Sequence, residues 1–509
     1  MERRRSAGLA IALALLAACE AETPVPIPAA AARPSFLLIL ADDLGPDFPA
    51  YGEVLAHTPA LDALARAGMR FDSAYAAAPV CSPSRAALLT GLPPHANGQV
   101  GFPGEARLRA GVRTLAERLS AQGYATGMIG KLHVAPAADS GDPAQLGFRH
   151  FEPTVRAREH DPAALARAVS GFLNASRSQP FFLLVGLHEP HTPYPGSEGR
   201  AAVANPVDPG ALAPLPTAPD LPELRRFRAA YLDAVGLADR HVAAVLAALL
   251  RAGREADTAV FLSSDHGPPL PGGKSTLYAR GLRVPLLVRW PGVVARGTHS
   301  DALVSLLDLA PTLLEAAGAA VDASLAGESR LALLRGETRE GADRVFAENA
   351  YLQGGRYFPQ RAIRTRDFSY LRNLRPDVEA RFNGLAHWAT PWLRIYDSDP
   401  RARALFARLV RHPEEELYDL AADPEELDNR ATDPRFAATL GALRGALRAR
   451  LEATRDPWLA LWDRDPDGSR PDRFEPAQTR DGAFSPRWLD AALERVRRGL
   501  APGLSDGDD

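Results

Sequence analysis

The chain has 509 residues, of which 46% are hydrophobic and 24% are charged, and its formal net charge is −3. This composition is that of a globular protein long enough for more than one hydrophobic core. A net charge this small excludes the basic field typical of nucleic-acid-binding proteins, so no nucleic-acid partner is expected. The net charge does not exclude an anionic small substrate, because the binding of such a substrate depends on basic residues near the site.

The first 19 residues have the pattern of an export signal. Three arginines at 3–5 precede an apolar run at 7–18, which is too short to cross a bilayer because a spanning helix takes about 20 residues. The run ends in Leu-Ala-Ala-Cys, which resembles a bacterial lipobox; the alternative is an ordinary secretory signal that happens to contain Cys19. We expect a lipoprotein-type signal peptide at 1–19, a linker at 20–34, and a periplasmic or cell-surface protein whose only membrane contact is lipid on Cys19. Fractionation of a Cys19→Ser variant tests this anchor.

Apolar strands then alternate with amphipathic helices. This alternation predicts an α/β domain with a large, mostly parallel sheet at 35–345. The predicted elements are, in order, a strand at 36–40, a helix from Thr58 to Gly68, a helix at 114–122, a strand at 125–129, a strand at 181–187, a helix at 221–252 and a strand at 258–263.

Charged and imidazole side chains stand where four of these strands end. Ligands of open α/β sheets bind at the carboxyl ends of the strands, so these residues predict a site there. They are Asp42 and Asp43, Lys131 and His133, His188 and His191, and Asp265 and His266.

Residues 346–480 have a different pattern, which predicts a smaller antiparallel subdomain. Polar and apolar residues alternate at 361–374 like a half-exposed strand, and a second strand at 415–420 precedes a helix at 435–454. Residues 388–411, with two prolines and several aromatics, are predicted to be an irregular insertion. Residues 481–509 are predicted to hold one terminal helix and an acidic tail.

Cys81 is the one cysteine left after Cys19. Ser82 suits a helix N-cap, Pro83 suits the first helical position and Gly91 suits the end, so Cys81 is predicted at a helix N-terminus. The free backbone donors there favour an anion and would lower the pKa of a thiol. The alternative is a small cysteine packed beneath a helix start.

The pattern Cys-x-Pro-x-Arg at 81–85, with Leu-Thr-Gly at 89–91, resembles the signature of the type I sulfatases. In that family a formylglycine-generating enzyme oxidises the cysteine to an aldehyde, which hydrates to a geminal diol. One hydroxyl attacks sulfur, and the other then expels sulfate and restores the aldehyde. The resemblance implies that Cys81 is the precursor of this nucleophile. It also implies an alkaline-phosphatase-like sulfatase fold, with a large, mostly parallel sheet and a smaller C-terminal antiparallel domain.

The resemblance also assigns the other site residues. It implies one divalent cation, preferentially Ca²⁺, since carboxylates suit a hard ion, although His266 stands where many members have asparagine. Arg85 would orient the formylglycine, and Lys131, His133, His191 and Lys274 would complete the catalytic group. The implied metal-site residues are Asp42, Asp43, Cys81, Asp265 and His266, and the implied substrate contacts are Lys131, His191, Lys274, His188 and Glu348, with Asn349 beside the last.

The likeness extends from Ser35 to Trp458 and is greatest to the sulfamidases, which release N-sulfate from glucosamine at the non-reducing end of heparan-type glycans. Lys274 replaces an arginine, which keeps the charge and loses bidentate geometry. The alternatives are an O-sulfatase on another glycan or an aryl sulfate, a phosphodiester or phosphonate hydrolase of the same superfold, and a non-catalytic glycan-binding lipoprotein. The expected partners are a sulfated saccharide, the formylglycine-generating enzyme and, for a homodimer, a second copy of the chain.

Overall fold

The structure is a computed structural model, and it describes residues 33–136, 142–153, 160–197, 202–352, 356–381, 385–462 and 488–498. The predicted signal peptide, Cys19, nearly all of the linker and the acidic tail lie outside these residues. Within the described ranges, no helix combines the length and hydrophobicity needed to cross a membrane.

Twelve strands are found in the described part of the chain. They are β1 (Ser35–Ala41), β2 (Met69–Tyr75), β3 (Ala125–Gly130), β4 (His150–Glu152), β5 (Phe181–Gly186), β6 (Thr258–Ser264), β7 (Leu286–Arg289), β8 (Thr298–Ser305), β9 (Val345–Leu352), β10 (Arg356–Arg364), β11 (Phe368–Asn373) and β12 (Glu415–Asp419).

The α-helices of the same ranges are α1 (Pro59–Ala67), α2 (Cys81–Thr90), α3 (Pro94–Asn97), α4 (Leu115–Ala121), α5 (Pro162–Ala175), α6 (Pro222–Arg251), α7 (Ala279–Leu282), α8 (Leu309–Ala316), α9 (Leu331–Leu334), α10 (Leu385–Ile395), α11 (Pro400–Val410), α12 (Ala437–Ala453) and α13 (Trp488–Arg497).

The larger sheet has the strand order β4-β3-β5-β1-β6-β7-β2-β8, and only β7 runs antiparallel to its neighbours. Helices cover both faces, so side chains that alternate along β1 enter two different cores. Phe36, Leu38 and Leu40 pack with residues of α2, α4 and α8. Leu37 and Ile39 pack with residues of α1, α5 and α6. The predicted mostly parallel α/β sheet is confirmed.

Four adjacent strands, β3, β5, β1 and β6, position the predicted site. They are mutually parallel, so their carboxyl ends lie along one edge of the sheet. Lys131 follows β3, His188 lies two residues beyond β5, Asp42 follows β1 and Asp265 follows β6. The four strand ends that carry the predicted site residues therefore lie side by side.

The second sheet is antiparallel, with the order β12-β11-β10-β9. The antiparallel pattern predicted at 361–374 is confirmed, because these residues are the end of β10 and all of β11, which pair antiparallel. The predicted half-exposure is wrong, because both faces are covered. Trp388, Trp392 and Phe406 of α10 and α11 pack on one side. Leucines of α12 pack on the other. The irregular insertion predicted at 388–411 is also wrong, because these residues form most of α10 and all of α11, with Pro391 inside α10.

The predicted division of the chain at 345/346 falls at the first residue of β9. Both sheets belong to one compact unit that starts at Arg33. The domain boundaries therefore stay a prediction, whereas the two sheets themselves are observed.

Gly186, the last residue of β5, allows a close backbone approach beside the site. A Cβ atom at this position would lie 2.0 Å from the carbonyl oxygen of Lys131. We expect Gly186→Ala to lower the free energy of unfolding by about 1–3 kcal/mol or more, because backbone cannot yield as a flexible side chain can. Urea denaturation measures this change.

Gly171, exposed in the interior of α5, provides a matched control. A Cβ there meets no atom within 4 Å. Gly171→Ala should therefore raise stability by up to about 1 kcal/mol through helix propensity. Equal stabilities for the two variants would contradict the close approach at Gly186.

Candidate active site

Cys81 is the first residue of α2. The helix begins two residues earlier than Ser82 capping would require: Val80 is the N-cap in an extended conformation, and its carbonyl accepts from the backbone N–H of Ser84 at 3.1 Å. The predicted cap at Ser82 is therefore wrong, and the predicted position of Cys81 at the helix N-terminus is confirmed. Every residue of α2 is buried, Cys81 to 1% exposure.

Three buried carboxylates, those of Asp42, Asp43 and Asp265, surround the Cys81 side chain. None is more than 1% exposed. Cys81 Sγ lies 3.7 Å from Asp42 Oδ1 and 3.2 Å from His266 Nε2. Three groups formed here could hold a metal ion: Asp42, Cys81 and Asp265; Asp43, Cys81 and His266; and Asp42, Asp43 and His191.

The backbone at Asp43 explains how consecutive aspartates serve one centre. Its φ is +69°, in the left-handed region that aspartate tolerates better than most residues. The turn lets the backbone N–H of Asp43 donate to Asp265 Oδ1 at 3.2 Å, and that of Leu44 donate to Ser264 Oγ at 2.8 Å. The ends of β1 and β6 are thereby joined.

Three cations balance the three carboxylates. Arg85 donates to Asp42 Oδ2 at 2.6 Å and to Asp265 Oδ2 at 2.8 Å, and its side chain is 1% exposed. Lys131 Nζ lies 2.8 Å from Asp42 Oδ2, and Lys274 Nζ lies 2.8 Å from Asp43 Oδ1. Burying charge is tolerable only with such pairing, so these residues form one electrostatic unit.

The buried groups form what we call the floor of the site: Asp42, Asp43, Cys81, Arg85, Asp265 and Lys274. A partly exposed rim lies beside it and consists of Lys131, His133, His188 and His191. Lys131 is 19% exposed and His191 27%. His191 Nε2 lies 3.9 Å from Asp43 Oδ2, while its Nδ1 is 2.7 Å from the Thr192 carbonyl, which makes Nδ1 the protonated nitrogen. His188, also half-buried, has its ring 5.3 Å from that of His191. His133 lies two residues beyond Lys131 with φ +56° and its ring 5.4 Å from that of Phe102.

Burial and fixed charges set the protonation states of the site. Burial, and then the Asp42 carboxylate, raises the pKa of the Cys81 thiol far above its ordinary value, so the sequence-based expectation of a lowered pKa is wrong. Burial and the nearby lysines hold the pKa values of His191 and His133 well below their ordinary value. Burial alone would raise the pKa of Asp42, but Lys131 and Arg85 outweigh it and keep that pKa low.

Glu348 lies in a different buried cluster. Its Oε2 is 2.5 Å from His95 Nδ1, and Arg361, which binds Asp456 at 2.6 Å, lies 3.9 Å from the same oxygen. Asn349 donates to the Phe358 carbonyl at 2.8 Å. The role of Glu348 in substrate binding stays a prediction that none of these contacts supports.

Two residues near the rim were missed in the sequence. Glu189, which lies between His188 and His191 in the sequence, is fully buried. Its Oε1 lies 2.5 Å from His160 Nδ1. The signal for Glu189 was present, since an acid between two histidines directly after an apolar strand is unusual. His160 carried no signal, because its contact with Glu189 spans 29 positions.

Known proteins are similar to this chain in sequence and in fold. A family model described as Sulfatase matches residues 34–319, and one described as N-sulphoglucosamine sulphohydrolase, C-terminal, matches residues 273–376. The chain is 34% identical to the N-sulphoglucosamine sulphohydrolase of Homo sapiens, over 87% of this chain and 94% of that protein. It is 28% identical to an ulvan-active sulfatase of Formosa agariphila, over 79% of this chain and 77% of that protein.

Solved structures agree on the fold. A 2-O GAG sulfatase, BT1596, has a TM-score of 0.65 at 25% identity and covers 86% of this chain and 96% of its own. BT4656, solved in complex with its substrate D-glucosamine-2-N,6-O-disulfate, has a TM-score of 0.63 at 21% identity, covering 83% and 98%. A phosphonate monoester hydrolase from Silicibacter pomeroyi has a TM-score of 0.65 at 21% identity, covering 87% and 100%.

Fold, site and relatives together define a hydrolase of sulfuric esters or sulfamates. The chain belongs to the sulfatase family.

Arg85 is the residue whose loss should disturb the site most. Arg85→Ala leaves two buried carboxylates without their shared cation, so we expect it to lower the free energy of unfolding by about 3–5 kcal/mol. The measurement is urea denaturation of chelator-treated protein, which removes any contribution from bound metal.

Arg448→Ala is the matched control. Arg448 pairs with Glu452 on the surface of α12, with side chains 37% and 53% exposed. The loss of such a pair should change stability by about 0.5 kcal/mol or less. A comparable loss in both variants would refute the structural role of Arg85.

Proposed function

We propose that the protein removes the N-sulfate from N-sulfoglucosamine at the non-reducing end of heparan-type glycans, with formylglycine made from Cys81 as nucleophile. The position of Cys81 is the observation that best supports sulfatase chemistry. It lies at a helix N-terminus, 3.7 Å from Asp42 Oδ1, within a group of three carboxylates and three cations. Similarity to the human N-sulphoglucosamine sulphohydrolase supports the choice of substrate.

The environment of Cys81 disfavours the unmodified thiol as the nucleophile. A thiol whose pKa is raised by burial and by Asp42 stays protonated at neutral pH and is a poor nucleophile. Formylglycine supplies a hydrated aldehyde, one hydroxyl of which attacks sulfur while the other permits release of sulfate. A formylglycine-generating enzyme is accordingly a required partner.

The donor set fits one divalent cation. Asp42, Asp43 and Asp265 offer hard oxygen atoms, and His266 Nε2 lies 3.4 Å from Asp43 Oδ1. These four residues would hold the ion, and we propose Ca²⁺. When bound, it supplies positive charge that polarises the sulfate and the reacting oxygen.

The remaining residues bind the sulfate and move protons. Lys131 and Lys274 carry the charge that the sulfate oxygens require, and Arg85 keeps Asp42 and Asp265 in place. His191 Nε2 faces the site, where it can protonate the departing amine. Burial and then the two lysines lower the pKa of His191, and an anion bound near the lysines would offset the part that they contribute.

The nucleophile is tested by mass and turnover. The wild-type peptide containing position 81 should show the mass of formylglycine, and Cys81→Ala should reduce sulfate release to background, with thermal unfolding unchanged within a few degrees. Full activity from protein whose Cys81 is wholly unmodified would refute the mechanism.

The metal site is tested by metal content as well as activity. Asp42→Asn should reduce bound divalent metal from about one ion per chain to nearly none, measured by inductively coupled plasma mass spectrometry, and lower kcat about a hundredfold or more. Asp301→Asn is the control, because Asp301 is 70% exposed on β8 and pairs with Arg366. Retention of metal by Asp42→Asn would contradict the assignment.

The substrate is tested by direct comparison. Hydrolysis should show the highest kcat/KM on N-sulfoglucosamine, against glucosamine 6-O-sulfate, an aryl sulfate and a phosphonate monoester under one set of conditions, because His191 is placed to protonate an amine leaving group. Release of sulfate measures the first three reactions, and release of the alcohol measures the last. A higher kcat/KM on either O-sulfate would replace the sulfamidase assignment with an O-sulfatase. Preference for the phosphonate would overturn both.

A further inference from the structure

Besides His133, His188 and His191, a fourth imidazole, that of His160, lies beside the rim. His160 directly precedes Asp161, whose carboxylate caps α5 by accepting from the backbone N–H of Ala163 at 2.8 Å. The ring centroid of His160 lies 5.5 Å from that of His188, and the His188 centroid lies 5.3 Å from that of His191. The three rings form a row of successive contacts, from His191, whose Nε2 lies 3.9 Å from Asp43 Oδ2, through His188 to His160.

Glu189 fixes the orientation of His160. The Glu189 carboxylate is fully buried and accepts from His160 Nδ1 at 2.5 Å, while its other oxygen lies 3.5 Å from Nδ1 of buried His241 on α6. A carboxylate on Nδ1 sets the tautomer and leaves Nε2 to meet another group. The side chain of His160 is nonetheless 34% exposed. A rotamer held by a buried acid, with part of the ring open to solvent, is the arrangement of a preorganised binding group.

We propose that His160 is a substrate-binding residue that hydrogen-bonds a hydroxyl of the saccharide and so contributes to specificity for the glycan. The assignment rests on the proposed function, since it takes the sulfate to lie on the floor near Cys81 and the sugar to extend along the rim. His160, two rings from His191 in the row, then faces sugar rather than sulfate. Glu189 is the positioning residue for this contact.

The test separates saccharide binding from turnover. In the Cys81→Ala background, which cannot react, calorimetry would compare the binding of a disaccharide with terminal N-sulfoglucosamine and of inorganic sulfate. His160→Ala should weaken disaccharide binding about three- to tenfold, the effect of losing one hydrogen bond, and leave sulfate binding within about twofold. In the wild-type background the same change should raise KM more than it lowers kcat.

Two further variants exclude a purely structural role. His160→Gln keeps a donor for Glu189 and should preserve Tm, yet it should still weaken disaccharide binding because the imidazole is gone. His299→Ala, an exposed histidine on β8, controls for the same chemical change away from the rim. Unchanged disaccharide affinity in His160→Ala, or full recovery in His160→Gln, would overturn the proposal.

The proposed function can fail separately. If the wild type releases no sulfate from any saccharide while disaccharide binding depends on His160, the reaction assignment fails and the contact stands. If the disaccharide does not bind to the Cys81→Ala protein at all, the role of His160 is refuted as well.

Discussion

The rest of the site depends on the ion pairs that Arg85 forms with Asp42 and Asp265. One guanidinium joins carboxylates that follow two neighbouring strands, Asp42 after β1 and Asp265 after β6, and it also donates to the Lys131 carbonyl after β3 at 2.9 Å. A planar group with several fixed donors can make these three contacts at once, which a lysine cannot. Because Arg85 lies on the same helix as Cys81, it also ties the position of Cys81 to the sheet.

The site separates a buried floor from a partly exposed rim, and the separation divides the chemistry. Charged groups on the floor are buried, so their interactions with a bound anion are stronger than they would be in water. On the rim, Lys131, His133, His188 and His191 reach solvent, through which a substrate must enter and a proton must leave. Glu189 belongs to both parts: its side chain holds His160, and its carbonyl accepts from the backbone N–H of Asp42 at 3.3 Å.

Sequence patterns predicted the parallel sheet because apolar runs such as β1 are buried on both faces, and they predicted Asp42, Asp43 and Asp265 because these follow such runs directly. Arg85 and Lys274 follow no strand, and only the resemblance to the sulfatases assigned them to the site. Contacts between distant segments could not be predicted in this way. The covering of the second sheet by α10, α11 and α12 is tertiary, so a pattern that resembled a half-exposed strand was misleading. The pKa of Cys81 shows the same limit, since a helix terminus favours the thiolate but burial and Asp42 outweigh it.

The charge balance of the floor bears on what it can bind. Asp42, Asp43 and Asp265 are offset by Arg85, Lys131 and Lys274, so the site of the free protein is nearly neutral. A divalent cation alone would leave two positive charges buried, which is costly in a low-dielectric interior. A sulfate ester or sulfamate carries one negative charge and would offset one of them, and the sulfate dianion released as product would offset both. Within the proposed function, the same balance is compatible with a lysine at position 274, because its charge pairs with Asp43 at 2.8 Å and a point charge attracts a sulfate without a bidentate fork.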